Sequence, residues 1–185
     1  MTSASDINFV LDRIRAPELT VSYFLDFISR LACYKNEEFI DALMDMVSRS
    51  QKGSDEFWIS GYLYALCQMI ERPYRGDDKA VVLFVGKLRD FVSEKFSAEI
   101  GWYSGSLLGM IDHPNCSSAR VEGVYNSDLY IRGRIECLRG IVDFHPADQV
   151  IEIVSFFASD ASSPLFNIAN LIFADIKGRS VNDDK

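Results

Sequence analysis

The sequence predicts an all-α protein of about eight to nine helices, packed as antiparallel helical hairpins in a regular stack or an irregular bundle. Three observations carry that expectation. Apolar residues recur at helical spacing from end to end, and no segment alternates apolar and polar residues as a half-buried strand would. The 185 residues are 48% apolar and 25% charged, the balance of one globular domain with room for a hydrophobic core. That domain is placed at residues 1–178, with 179–185 as a polar tail.

Each helix has its own warrant. Ile7, Val10, Leu11 and Ile14 make the first apolar stripe, with Ser5 placed to cap it and Pro17 to end it. Phe24, Phe27, Ile28 and Leu31 make the second, which runs to about Tyr34. Asn36 caps a third helix with Ile40, Leu43, Met44 and Val47 inward, and Gly53 closes the turn after it. The fourth, about 55–71, is apolar nearly all round, so it is expected to be central. Pro73 and Gly76 break the chain before a fifth helix through Val81, Phe84, Val85, Leu88 and Val92. A sixth covers about 98–112. His113–Tyr125, with Pro114, Asn115, Ser117, Ser118 and Gly123, reads as the longest loop. Helix seven spans about 127–143, Pro146 opens helix eight, and Pro164 opens helix nine, which ends near Gly178.

Two patterns exceed simple periodicity. Gly101, Gly105 and Gly109 lie at i, i+4, i+8, a smooth ridge that costs about 1 kcal/mol of helix propensity per glycine. Close packing inside the molecule is the expected return. Three helices also end alike, in two apolar residues, an acid and a nearby proline: Met69–Pro73, Met110–Pro114 and Ile141–Pro146. Their acids, Glu71, Asp112 and Asp143, are 41 and 31 positions apart, within the range of helical-hairpin repeats.

Residues with chemical potential are few. Cys33, Cys67, Cys116 and Cys137 form no CxxC pair, so neither a zinc site nor a dithiol redox site is indicated, and all four are expected to be reduced. His113 and His145 each precede a proline, and either is a conceivable base with Cys116 or Asp148 as partner. No nucleophile, phosphate-loop, dinucleotide or metal motif accompanies them, so the sequence implies no enzyme, no cofactor and no metal. No apolar run is long enough for a bilayer and no signal peptide is visible, which fits a cytoplasmic protein without a membrane partner.

Charge is the stronger signal. Nineteen Lys+Arg against 27 Asp+Glu leave −8, which disfavours direct nucleic-acid binding. Glu37, Asp41 and Asp45 share one helix face at i, i+4, i+8. Between Arg139 and Lys177 there is no Lys or Arg, while Asp143, Asp148, Glu152, Asp160 and Asp175 all occur. A charge run is usually a solvated face; the functional alternative is a negative surface that captures a basic protein. Tyr34, Tyr74, Trp102 and Tyr125 lie near helix ends or loops as potential interface anchors, Tyr74 the most loop-like. Asp143, Asp148, Glu152, Asp160, Glu37, Asp41, Asp45 and Tyr74 are therefore the expected partner-binding residues.

In overall character the chain resembles the all-helical immunity proteins of bacterial toxin systems, including contact-dependent growth inhibition, some of which are HEAT-like stacks of hairpins. The three matching helix ends and the acidic stretches Glu37–Asp45 and Asp143–Asp160 carry the resemblance. It implies a protein that neutralises a cognate toxin, often a basic nuclease, by covering its active site and mimicking nucleic-acid charge. No individual family residue can be matched. A helical-repeat adaptor that binds a peptide or protein in a groove is the alternative expectation.

Overall fold

The computed structural model describes residues 4–15, 20–51, 55–76 and 78–180, with side chains over 7–15, 20–51, 55–76 and 79–176. The described residues form ten helices: α1 Ala4–Arg15, α2 Val21–Leu31, α3 Glu37–Ser48, α4 Glu56–Met69, α5 Asp78–Ser93, α6 Ala98–Met110, α7 Cys116–Tyr125, α8 Ile131–Phe144, α9 Ala147–Ser159 and α10 Phe166–Ser180. The chain is all-α, with one helix more than the sequence suggests.

The additional helix is α7, inside the segment expected to be the longest loop. Only a tight turn precedes it, in which the Cys116 and Ser117 amides donate to the His113 and Pro114 carbonyls at 2.9 and 3.1 Å. Its buried stripe is Cys116, Ala119, Gly123 and Val124, with Arg120 beside it. Small side chains at helical spacing carry little hydropathy signal, yet they suit a helix that packs close to its neighbours. Other helix ends fall within a few residues of expectation, as frayed ends do. Pro17, Gly53 and residues 181–185 lie outside the described residues, and α10 continues two residues past Gly178.

Local chemistry sets the starts. The Asn36 side chain accepts from the Phe39 amide at 3.2 Å, and Asp55 accepts from the Phe57 amide at 2.9 Å. Each satisfies an amide that the first helical turn leaves without a partner.

Helix neighbours follow an alternating order. The odd helices α1, α3, α5 and α7 pack each on the next, and so do the even helices α2, α4, α6 and α8. Cross-contacts join α3 to α4, α5 to α6 and α7 to α8; α9 then packs on α8 and α10 on α9. Helix α4 touches α2, α3 and α6, which is why its apolar residues extend around most of its circumference. The Phe24 ring of α2 sits where Gly61 of α4 has no side chain, and a Cβ there would lie 2.7 Å from the ring.

The closest approach is between α6 and α8. A Cβ on Gly105 would lie 2.7 Å from the Gly133 Cα, and one on Gly109 would lie 2.7 Å from the Glu136 carbonyl oxygen. Helix α8 answers with its own glycines, since a Cβ on Gly140 would lie 2.8 Å from the Gly109 Cα. The glycine ridge is thus an intramolecular crossing, with backbones nearer than side chains would allow.

The three similar helix ends are gathered on one edge. Glu71 after α4 pairs with Lys35 after α2, Asp112 after α6 pairs with Arg75 at 2.8 Å, and Asp143 of α8 pairs with Arg72. Backbone bonds reinforce them: the Tyr74 amide donates to Met110 at 2.9 Å and the Asp112 amide to Tyr74 at 3.0 Å. Each pair is exposed enough that water screens it, so its contribution is small. Their common location explains why the pattern repeats.

Candidate functional site

The expected partner-binding residues include several that the fold itself engages. Asp143 is one of these, reached by Arg72 across the edge. Asp45 is likewise neutralised, by Arg49 one turn later at 2.7 Å. Asp160 follows α9 and shapes the turn into α10, accepting from the Ser162 amide at 3.0 Å and the Ser162 hydroxyl at 2.6 Å. Those bonds lower its carboxyl pKa. Tyr74 is half-buried, with its backbone bridged to the end of α6, so it ties two helix ends together and does not stand out as an anchor.

Glu37, Asp41, Asp148 and Glu152 are exposed. They occupy separate regions, since α3 packs on α1, α4 and α5, whereas α9 packs on α8 and α10. Asp148 and Glu152 form no ion pair among the described residues.

Helix α9 is amphipathic in the ordinary way. Val150, Ile153, Val154 and Phe157 are buried, at i, i+3, i+4 and i+7. The opposite face carries Asp148, Glu152 and Phe156 at i, i+4, i+8. Phe156 is 54% exposed. Tyr125, the last residue of α7 and 45% exposed, completes the patch. Its ring centroid lies 5.4 Å from that of Phe156, and both rings rest on buried Phe157, at 5.1 and 5.0 Å. Burial first, and the Glu152 charge second, push the Tyr125 phenol up; Glu152 itself stands one helical turn before Phe156 on α9. An acidic pair thus borders two half-exposed aromatic rings on a rigid base, the composition of an interface anchor with a polar rim. Periodicity locates this outward face of α9; it does not reveal that Tyr125 from another helix joins it.

Two buried arginines hold the helices behind the patch. Arg120 of α7 is 1% exposed and donates to the Leu108 carbonyl at 2.7 Å and to the Ile111 carbonyl, closing the C-terminus of α6. Its guanidinium also lies 4.6 Å from the Phe144 ring centroid. Arg134 of α8 closes α7 in the same way, donating to Val124 at 3.0 Å. A cation at a helix C-terminus satisfies orphan carbonyls and opposes the dipole. Nothing in the hydropathy pattern marks these two arginines as buried.

The residues weighed for catalysis have other neighbours. His113 accepts from the Asn115 amide at 3.2 Å, and burial pushes the nearby Cys116 thiol up to about 11. His145 Nδ1 faces Gln149 at 3.3 Å, while its Nε2 is buried without a hydrogen-bond partner. All four cysteines are free thiols, and Cys33 lies exposed beyond α2 instead of within an apolar stripe. Among the described residues, no group of three or more His, Cys, Asp or Glu is placed to hold a metal ion, and no helix is long and apolar enough to cross a membrane.

A second surface crosses the even helices, a groove lined by Leu25, Ser29, Ser60, Tyr64, Glu99 and Tyr103. Tyr103 stacks on Trp102 at 5.2 Å, and Trp102 in turn carries Arg132 at 4.7 Å. Compared with family models, with curated proteins and with solved structures, the chain finds no match in any of the three.

Proposed function

We propose that this chain is an acidic protein-binding module, an immunity protein that neutralises a basic toxin of the nuclease class by occluding its active site. One observation carries the reading. Asp148 and Glu152 are exposed, lack an ion pair among the described residues and flank the exposed rings of Phe156 and Tyr125. Unpaired acids speed the capture of a basic protein, and the aromatic rings hold it once docked. The module acts by occlusion in the cytoplasm, using no cofactor and binding no nucleic acid itself. The alternating order of helix contacts supports a HEAT-like stack of hairpins as its architecture.

The test is capture of the partner at low and moderate salt by the wild-type chain and by Asp148→Lys/Glu152→Lys. The expected result is one basic protein in stoichiometric amount, weakened by salt and lost in the charge-reversed variant, whose nuclease activity the wild-type chain blocks. Capture that is indifferent to both salt and charge reversal refutes the reading. It favours the alternative, a scaffold that binds a peptide in the Tyr64–Tyr103 groove, for which the lining of that groove is the supporting observation.

A further inference from the structure

Cations already cover aromatic rings elsewhere in this molecule. Arg13 lies over Phe9 at 5.3 Å, Lys87 over Phe91 at 5.4 Å, Arg132 over Trp102 at 4.7 Å, and Arg72 and Arg120 over Phe144 at 5.7 and 4.6 Å. The Tyr125–Phe156 pair has the same potential and no cation over it among the described residues. On the Phe156 side the chain supplies none nearby in sequence, because residues 140–176 contain no Lys or Arg, and the arginines near Tyr125 are turned elsewhere, Arg120 and Arg134 to helix-end carbonyls and Arg132 to Trp102. Beside the rings stands Glu152, exposed, one helical turn before Phe156 and free of any ion pair among the described residues.

We infer that this notch receives an arginine side chain of the protein partner, its guanidinium plane stacked on one of the Tyr125 and Phe156 rings with its edge toward the other, and its N–H groups donating to the Glu152 carboxylate. The inference rests on the reading of α9 as the partner-binding face and specifies what that face recognises. Three physical points select arginine. The two rings are tilted by 55° to one another, so they offer a faceted wall for a flat group. A guanidinium stacks on an aromatic face and is weakly hydrated, whereas an ammonium is a strongly hydrated point charge. Its forked donors match a carboxylate in two parallel bonds. Phe157 is 4% exposed and supports both rings, so the wall is formed before the partner arrives. Asp148, one turn further along the same face, adds a negative rim for a second basic residue.

The experiment is a titration of the isotopically labelled full chain, followed by amide chemical shifts. The probes are the peptide acetyl-Gly-Arg-Gly-Gly-Arg-Gly-amide and its lysine counterpart of equal charge. The arginine peptide is expected to shift Tyr125, Glu152 and Phe156 saturably, with the lysine peptide about fivefold weaker. Glu152→Gln and Phe156→Ser should each remove that preference, with circular dichroism confirming that both variants fold. Equal affinity for the two peptides on α9 overturns the arginine notch while leaving the acidic-face reading intact. Shifts confined to the Glu37–Asp45 face, or none at low salt, overturn both.

Discussion

The α6–α8 crossing and the outer face of α9 treat polar groups in opposite ways. At the crossing, backbone meets backbone through Gly105, Gly109, Gly133 and Gly140, and the charges nearby are engaged: Arg120 by the end of α6, Glu136 by Arg139 at 2.6 Å, Asp143 by Arg72. On the outer face of α9 and the adjoining end of α7, two carboxylates and two aromatic rings are exposed, with no cation upon them among the described residues. A fold that closes its charges in one place and leaves them open in another separates what holds the molecule together from what it presents. The acids shared by the two regions cannot be distinguished by residue type, only by partner.

The sharpest way to break that contrast is Arg120→Ala. It removes a fully buried side chain and leaves the Leu108 and Ile111 carbonyls without their donor. The expected loss is about 4 kcal/mol in chemical denaturation, combining a cavity with orphaned buried acceptors. A loss below about 1 kcal/mol would mean that water replaces the guanidinium and that α6 needs no such closure. Gly105→Ala comes next, at about 2–3 kcal/mol, because its methyl meets the Gly133 backbone and backbone cannot step aside. Its control is Gly86→Ala in α5, where nothing lies within 4 Å of the new methyl and the chain should gain about 0.5–1 kcal/mol from helix propensity alone. Equal effects at the two glycines would show that the crossing is looser than its geometry.

A smaller effect concerns pH. Burial, then the Arg120 charge, lower the pKa of His145, so the fold prefers the neutral ring while the unfolded chain takes up a proton first. Stability is therefore whole above the ordinary histidine range and declines as pH falls through it toward the lowered folded value. Thermal unfolding followed from pH 7.5 to 5.5 should show that decline, and His145→Asn should flatten it; an unchanged slope would place the titrating group elsewhere. The smallest expected effect is on the stability of Asp148→Lys/Glu152→Lys, below about 0.5 kcal/mol for exposed sites away from structural contacts. A large loss there would make α9's acids part of the framework after all.

Much of this was legible before any coordinates. The stripes of α2, α3 and α5, the cap Asn36, and the expectation of close packing along Gly101, Gly105 and Gly109 follow from residue spacing, because each reports a local preference. The pairing of Asp45 carries a local signal: Arg49 stands one turn later, the spacing that favours an ion pair on a helix. Asp143 was illegible in principle, since its partner Arg72 is 71 positions away. Helix α7 escaped because Cys116, Ala119 and Gly123 achieve burial through small size, a property that hydropathy weights poorly. The Tyr125–Phe156 notch needed two helices brought side by side, and periodicity describes one helix at a time.

The two buried arginines also give the chain a direction in time. Arg120 lies after the helix it closes, and so does Arg134; Asn126 likewise follows α5, donating to the Val92 carbonyl at 2.7 Å. During synthesis each of these helices emerges with its last carbonyls open and is finished only when a later segment arrives. A nascent chain halted near residue 115 therefore carries an α6 with an unsealed end, and the array closes from the N-terminus onward as translation delivers one seal after another.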